Sequence, residues 1–151
     1  RRQAIGNLRA FMELSIPWAE DAGAVLCLEN LGHVPGYVIQ GYGELVDMVR
    51  SLDSPLARII LDMGHADCSD GLRPAFEAFA PYLRHIHVHD SDGRRDHYEI
   101  GKAKLDFTAY LDVLKPFPFT LAMESREEQD PAGCVLRSRD ALKAILREAA
   151  R

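Results

Sequence analysis

Cysteine is scarce in this chain: Cys27, Cys68 and Cys134 are the only three among 151 residues, and no two stand in a C-x-x-C spacing. An odd, widely spaced trio argues against a disulfide framework and points to a reducing compartment, so a cytoplasmic location is expected. A basic block is missing too. The 18 Lys and Arg are scattered and outnumbered by 23 Asp and Glu, which leaves a formal net charge of −5. Nothing in that balance suggests a phosphate-tracking surface, and nucleic acid is not an expected partner. No apolar run approaches the roughly 18 residues of a membrane span, and the chain opens directly in helical pattern, so neither a membrane segment nor a signal peptide is expected. GYVIQGYG (36–43) is glycine-rich but lacks both the strand–GxGxxG–helix arrangement and a Walker lysine, which sets aside a nucleotide-binding loop. Tryptophan occurs once, as Trp18, and like Phe117 it carries no functional signal.

What is present is an ordinary globular composition, 47% hydrophobic and 27% charged, in a length that suits one domain. Residues 2–22 have a helical period in Ala4, Leu8, Phe11, Met12, Ile16 and Ala19, with Pro17 as a possible bend. AVLCLEN (24–30) reads as a strand, 31–42 as a loop containing Pro35, and ELVDMVRSL (44–52) as a helix with Leu45, Met48 and Val49 on one side. After Ser54-Pro55, ARIILD is a second strand running into MGHA. A helix opens at Asp70 or Gly71 and runs through PAFEAFAPYL, offering Phe76, Phe79 and Leu83 as its apolar side. HIHVHD is the third strand. Asp106 is an N-cap for FTAYLDVLK, which Pro116 and Pro118 end, FTLAMES is the fourth strand, and a last helix covers about 133–149.

Short strands alternating with helices predict parallel pairing through crossovers. A side-chain period of two places His85, His87 and His89 on one strand face, and three imidazoles suit the wall of a polar cavity better than an apolar core. Every strand, moreover, carries a polar residue at or near its C-terminal end: Glu29, Asp62, His87 and Glu124. A parallel sheet needs no such residues, whereas a barrel with an active site on that rim does. The four form an oxygen-rich set with one nitrogen, suited to Mn²⁺, Mg²⁺, Co²⁺ or Zn²⁺; a dication also relieves the repulsion among three carboxylates. His65, three residues beyond Asp62, reaches back over the cavity as a further ligand or a substrate hydrogen-bond donor, and Arg94 and Arg95 stand in the loop above the rim, placed to grip an anionic substrate group. His85, deeper along its strand, reads as a residue that supports a neighbouring carboxylate.

LCLENL, ILDMGHA, HIHVHDSDGRRDHYEIG followed by LDF, and LAMES together resemble the C-terminal half of the xylose-isomerase-like TIM barrels. The resemblance spans essentially residues 1–151 and implies an α/β fold, a (β/α)8 barrel of which this chain supplies the last four βα units and the helix before them. It implies a divalent metal held by Glu29, Asp62, His87 and Glu124, with Glu29 and Glu124 doubling as acid and base in a sugar or sugar-phosphate isomerase or epimerase. His65 matches the family's substrate-binding histidine and His97 the histidine of its D-x-H or DDH segment, and with Arg94 of the loop these are the expected substrate contacts. The expected substrate is a small carbohydrate or keto acid. A related branch, the apurinic-site endonucleases, adds an Asp-x-His pair and holds three zinc ions; here Asp96 and His97 are adjacent, which disfavours that alternative. A complete barrel takes about 250 residues, so the expectation is a half-barrel that is completed by an N-terminal half, that self-associates through open strand edges, or that is a truncated, non-catalytic domain.

Overall fold

A computed structural model describes residues 1–32 and 36–148, with the side chain of residue 148 left out. The expected loop residue Pro35 and the expected helix end at 149 lie outside the described residues. Four strands, β1 (Leu26–Glu29), β2 (Ala57–Asp62), β3 (Leu83–Val88) and β4 (Thr120–Met123), form one sheet in the order β1-β2-β3-β4, and every pair is parallel. Sequential order with no reversal is the winding of a barrel wall rather than of a doubly wound sheet, whose order reverses at a switch point. The connections are helical: α1 (Arg2–Asp21), α2 (Tyr42–Ser51), α3 (Met63–Asp67), α4 (Leu72–Phe79), a 3₁₀ turn (Phe107–Tyr110) continuing into α5 (Leu111–Leu114), and α6 (Pro131–Glu148). The result is a partial (β/α) barrel, four parallel strands with flanking helices. No helix among the described residues is long and apolar enough to cross a membrane.

The strand period decides which side is core. Ile59, Leu61, Ile86 and Val88 point to the convex side, where they are buried with Leu45, Val49, Phe76 and Phe79 from α2 and α4. Their neighbours Ile60, His85 and His87 face the concave side and are only half-buried. Hydrophobic burial on one face therefore fixes the register that aims the rim residues at each other. Between β2 and β3 the register slips at Ile59/Ile60, where Leu83 and His85 are the consecutive partners and Arg84 is the extra residue.

Several expectations change. Leu83 is the first residue of β3, not the end of a helix: α4 stops at Phe79, and Pro81 separates the two. The turn α3 was hidden because five residues are too few to show a period. Asp106 is the expected cap, its carboxylate accepting from the Thr108 amide at 3.0 Å, but it opens a 3₁₀ turn first. Pro17 lies within α1 without ending it. Phe11, expected in the apolar stripe, is 64% exposed, while Met12 and Ala19 are buried. α6 begins at Pro131, ahead of the expected 133.

Gly64 shows how tightly the rim is built. A Cβ there would sit 2.1 Å from Cε1 of His89 and 2.9 Å from Cβ of Asp96. Gly64→Ala is expected to destabilise the fold by about 1–3 kcal/mol through overpacking, read as a lower urea midpoint with an unchanged slope; an unshifted midpoint would show that His89 moves aside freely.

Candidate metal centre

The C-terminal ends of all four strands meet on one rim, and each contributes a side chain. Glu29 ends β1, Asp62 ends β2, His87 lies one residue before the end of β3, and Glu124 directly follows β4, its amide donating to the Val88 carbonyl at 3.1 Å. Nδ1 of His87 lies at the centre of the group, 3.1 Å from Oε2 of Glu124, 3.4 Å from Oε1 of Glu29 and 3.8 Å from Oδ2 of Asp62. One ligand atom from each of the four falls within 4.8 Å of the others. Metal–ligand bonds of about 2.1 Å would set neighbouring ligand atoms roughly 3–4 Å apart, so the set is the right size for one divalent ion.

Two atoms make the stronger point. Among the described residues, Nδ1 of His87 and Oε2 of Glu124 are the buried side-chain polar atoms without a hydrogen-bond partner. They are close together but not aligned to share a proton. Unpaired buried polar atoms are costly, and a pair of them facing one point fits shared coordination. The residues present thus fit a dication by size, by donor chemistry and by these orphaned atoms. The Glu29 carboxylate beside Nδ1 raises the His87 pKa against the effect of burial, with the charges of Glu124 and Asp62 adding to it. His85, edge-on to His87 with ring centroids 5.1 Å apart, is pushed down first by burial and then by that neighbour.

Asp62 has no solvent exposure. Burial works against its charge, yet its pKa is lowered, because His89 hydrogen-bonds it and His89 and His65 stabilise the anion. Its Oδ1 also caps α3, accepting from the His65 amide at 2.7 Å. Asn30 clamps the Asp62 peptide from both sides, accepting from its N–H at 2.7 Å and donating to its carbonyl at 3.1 Å.

The expected substrate-binding residues lie around this group in different ways. His65 donates Nδ1–H to the Asn30 carbonyl at 3.0 Å, and Nδ1 lies 3.4 Å from Oε1 of Glu29. His97 donates Nδ1–H to the Glu124 carbonyl at 2.9 Å. In both, a proton on Nδ1 leaves Nε2 with its lone pair, and both Nε2 atoms face Asp96, at 3.6 and 3.8 Å. His65, Asp96 and His97 form a second set of converging ligand atoms. Arg94 stands exposed on the turn that Asp92 caps. His89 leaves the face expected for it: β3 ends at Val88, and the His89 ring turns away to Asp62 and stacks on His97.

Sequence reasoning assigned no role to Asn30 or Asp90, read His89 only as part of the cavity wall, and weighed Asp96 only as one half of a nuclease-type pair. Asp90 organises the whole loop above the rim, its carboxylate accepting from the amides of Ser91, Gly101, Ala103 and Leu105 at 2.8–3.0 Å. The signal available was position alone: each directly follows a strand or sits in the loop after one. Asp90→Ala leaves four amides without their acceptor and is expected to cost about 2–3 kcal/mol, with faster amide exchange at Gly101, Ala103 and Leu105; unchanged exchange at those three would show that another group holds the loop.

Carboxylates and an imidazole converging at the C-terminal rim of parallel strands place this chain in the barrel class with a candidate metal site on that rim. The comparisons narrow this. The family model described as "Xylose isomerase-like TIM barrel" matches residues 1–150, and the chain belongs to that family. An uncharacterized protein of Methanocaldococcus jannaschii, MJ1311, is 28% identical over 134 residues, covering 85% of this chain and 44% of the relative. A D-psicose 3-epimerase of Enterocloster bolteae is 30% identical over 125 residues, covering 78% of this chain and 40% of that enzyme. Among solved structures, a D-tagatose 3-epimerase-like protein superposes with a TM-score of 0.81 at 23% identity, covering 97% of this chain and 57% of that one. The chain spans less than half the length of the curated relatives it matches.

Proposed function

We propose that this chain carries the metal-binding half of a divalent-metal-dependent ketose epimerase or isomerase, the C-terminal half of a (β/α)8 barrel. The observation that carries the reading is the convergence of Glu29 and Glu124 on His87 Nδ1, at 3.4 and 3.1 Å, in one set with buried Asp62. A cation held by Glu29, Asp62, His87 and Glu124 would supply electrophilic polarisation of the substrate oxygens. Glu29 and Glu124 stand on the two outer strands of the sheet, so their carboxylates approach a bound ketose from different directions. One takes the proton from the carbon next to the carbonyl, and the other delivers a proton to the opposite face, which inverts that carbon. His65 and His97, with Nδ1 committed to backbone carbonyls, accept hydrogen bonds from substrate hydroxyls through Nε2. Arg94, from its exposed turn, would act only on a substrate long enough to reach it. Small 3-epimerase substrates such as D-psicose and D-tagatose, named for the relatives above, are the first class to assay.

A second reading rests on one observation, the His65–Asp96–His97 set beside the first. It fits a further cation and phosphodiester chemistry of the apurinic-site nuclease kind, although the net charge of −5 offers such a substrate little attraction. Among the described residues, the outer edges of β1 and β4 are unpaired. Catalysis is therefore expected from the barrel closed by four further strands, supplied by an N-terminal half or by a second copy, and not from the half alone.

The test is elemental analysis of the purified chain with either Mn²⁺ or Co²⁺ supplied, followed by solvent-deuterium incorporation at C3 of D-psicose by the barrel-complete protein. About one metal per chain, lost in Glu124→Gln, with a loss of exchange of at least roughly 100-fold in that variant, is the expected result. Metal content that ignores Glu124→Gln would sink the reading. More than one metal per chain, near three zinc per completed barrel, with cleavage of an abasic-site oligonucleotide would favour the second.

A further inference from the structure

His89 has no solvent exposure and makes contacts that only one of its protonation patterns allows. The His97 amide donates to its Nδ1 at 2.7 Å, so that nitrogen holds a lone pair and the ring proton resides on Nε2. Nε2 lies 2.8 Å from Oδ2 and 2.9 Å from Oδ1 of Asp62, so the proton points at the carboxylate. The ring is locked in place from its flanks. His97 stacks on it with centroids 4.1 Å apart at 21°, and Gly64 backs it so closely that a side chain there would collide with Cε1. His97 in turn adopts φ 63, a left-handed conformation rare outside glycine, and is held there by the bond from its own amide to His89 and by the Arg126 amide donating to its carbonyl at 2.8 Å. The same His97 ring donates Nδ1–H to the carbonyl of Glu124.

We propose that His89 is a positioning residue that acts through Asp62. It fixes the plane of that carboxylate so that Oδ2 is presented to the ligand set, and it is linked through His97 to the backbone of Glu124 across the rim. Outer groups that hydrogen-bond a ligating carboxylate fix its orientation and raise affinity for the ion. Here the outer group has its tautomer dictated by a main-chain amide eight positions further along the chain. The loop from 89 to 97 thereby ties Asp62 on β2 to Glu124 after β4, and the two carboxylates are set as a pair. The inference rests on the reading of Glu29, Asp62, His87 and Glu124 as a metal set.

Three variants separate the possibilities: His89→Gln, which retains an N–H donor toward Asp62; His89→Phe, which retains the ring packing without one; and Glu124→Gln. Mn²⁺ affinity is measured on each by electron paramagnetic resonance of the free ion, with metal-free melting of each in parallel. His89→Phe is expected to bind Mn²⁺ about 10–100-fold more weakly than wild type, and His89→Gln within about threefold of wild type on the same scale. Wild-type affinity in His89→Phe, or equal losses in both His89 variants, overturns the positioning role while the metal set stands on its loss in Glu124→Gln. Wild type that binds no Mn²⁺, or binds it as Glu124→Gln does, overturns the metal reading and this inference with it. Should His89→Phe fail to fold, imidazole ¹⁵N shifts of the wild type decide: an Nε2–H tautomer whose proton shift marks a bond to a carboxylate supports the proposal, and an Nδ1–H tautomer overturns it.

Discussion

A carboxylate with no access to water has to be answered by its surroundings, and in this protein that carboxylate is Asp62. Leaving such a charge unpaired would cost several kcal/mol. Its two oxygens accept from His89 and from the amide of His65, and its peptide is clamped by Asn30. Each of these partners comes from a different segment: Asn30 follows β1, His65 lies in α3, and His89 follows β3. Satisfying one buried anion therefore fixes the relative positions of three successive βα connections at the rim.

The sheet supplies the rest of the order. Because its strands are parallel and sequential, their C-terminal ends lie on the same side, and the crossovers return every chain segment to the opposite end before the next strand begins. The convex face is sealed by Ile59, Leu61, Ile86 and Val88 under α2 and α4, so a one-residue slip of β2 or β3 would expose that apolar set and bury Ile60, His85 and His87 in its place. The hydrophobic penalty for a slip is the reason that polar residues stay on the concave side, and it acts at a distance from the site it protects.

This division explains which features were legible in the sequence. Alternation along ARIILD and HIHV, and a polar residue closing each apolar run, are local patterns, so the strands and the set Glu29, Asp62, His87 and Glu124 could be read from the chain alone. The roles of Asn30, His89, Asp90 and Asp96 depend on contacts between segments far apart in sequence, and no spacing rule encodes them. His89 is instructive. Period-two reasoning extended β3 by two residues too many, and the ring expected beside His87 instead crosses to Asp62 once the strand ends at Val88. Leu83 erred in the opposite direction, because an apolar residue after Phe76 and Phe79 continues a helical period that Pro81 has already broken. The five residues of α3 show neither period.

The charge arrangement at the rim bears on what it can hold. Glu29, Asp62, Asp96 and Glu124 bring four carboxylates into one neighbourhood. Two of the imidazoles there, His65 and His97, spend their Nδ1 proton on backbone carbonyls and offer lone pairs on Nε2, while His89 spends its proton on Asp62. The cationic side chain recorded against the four, Arg126, lies 4.0 Å from Oε1 of Glu124 and is 69% exposed, where an ion pair is worth little. Protonating His87, which its neighbours favour, offsets one of these charges but removes its lone pair from the set. A dication would offset two while leaving the His87 lone pair in the set, and it would relieve the repulsion among the carboxylates. The same charge balance that favours a divalent ion at this rim thus also draws Glu29 and Glu124, from opposite ends of the strand order, toward one point.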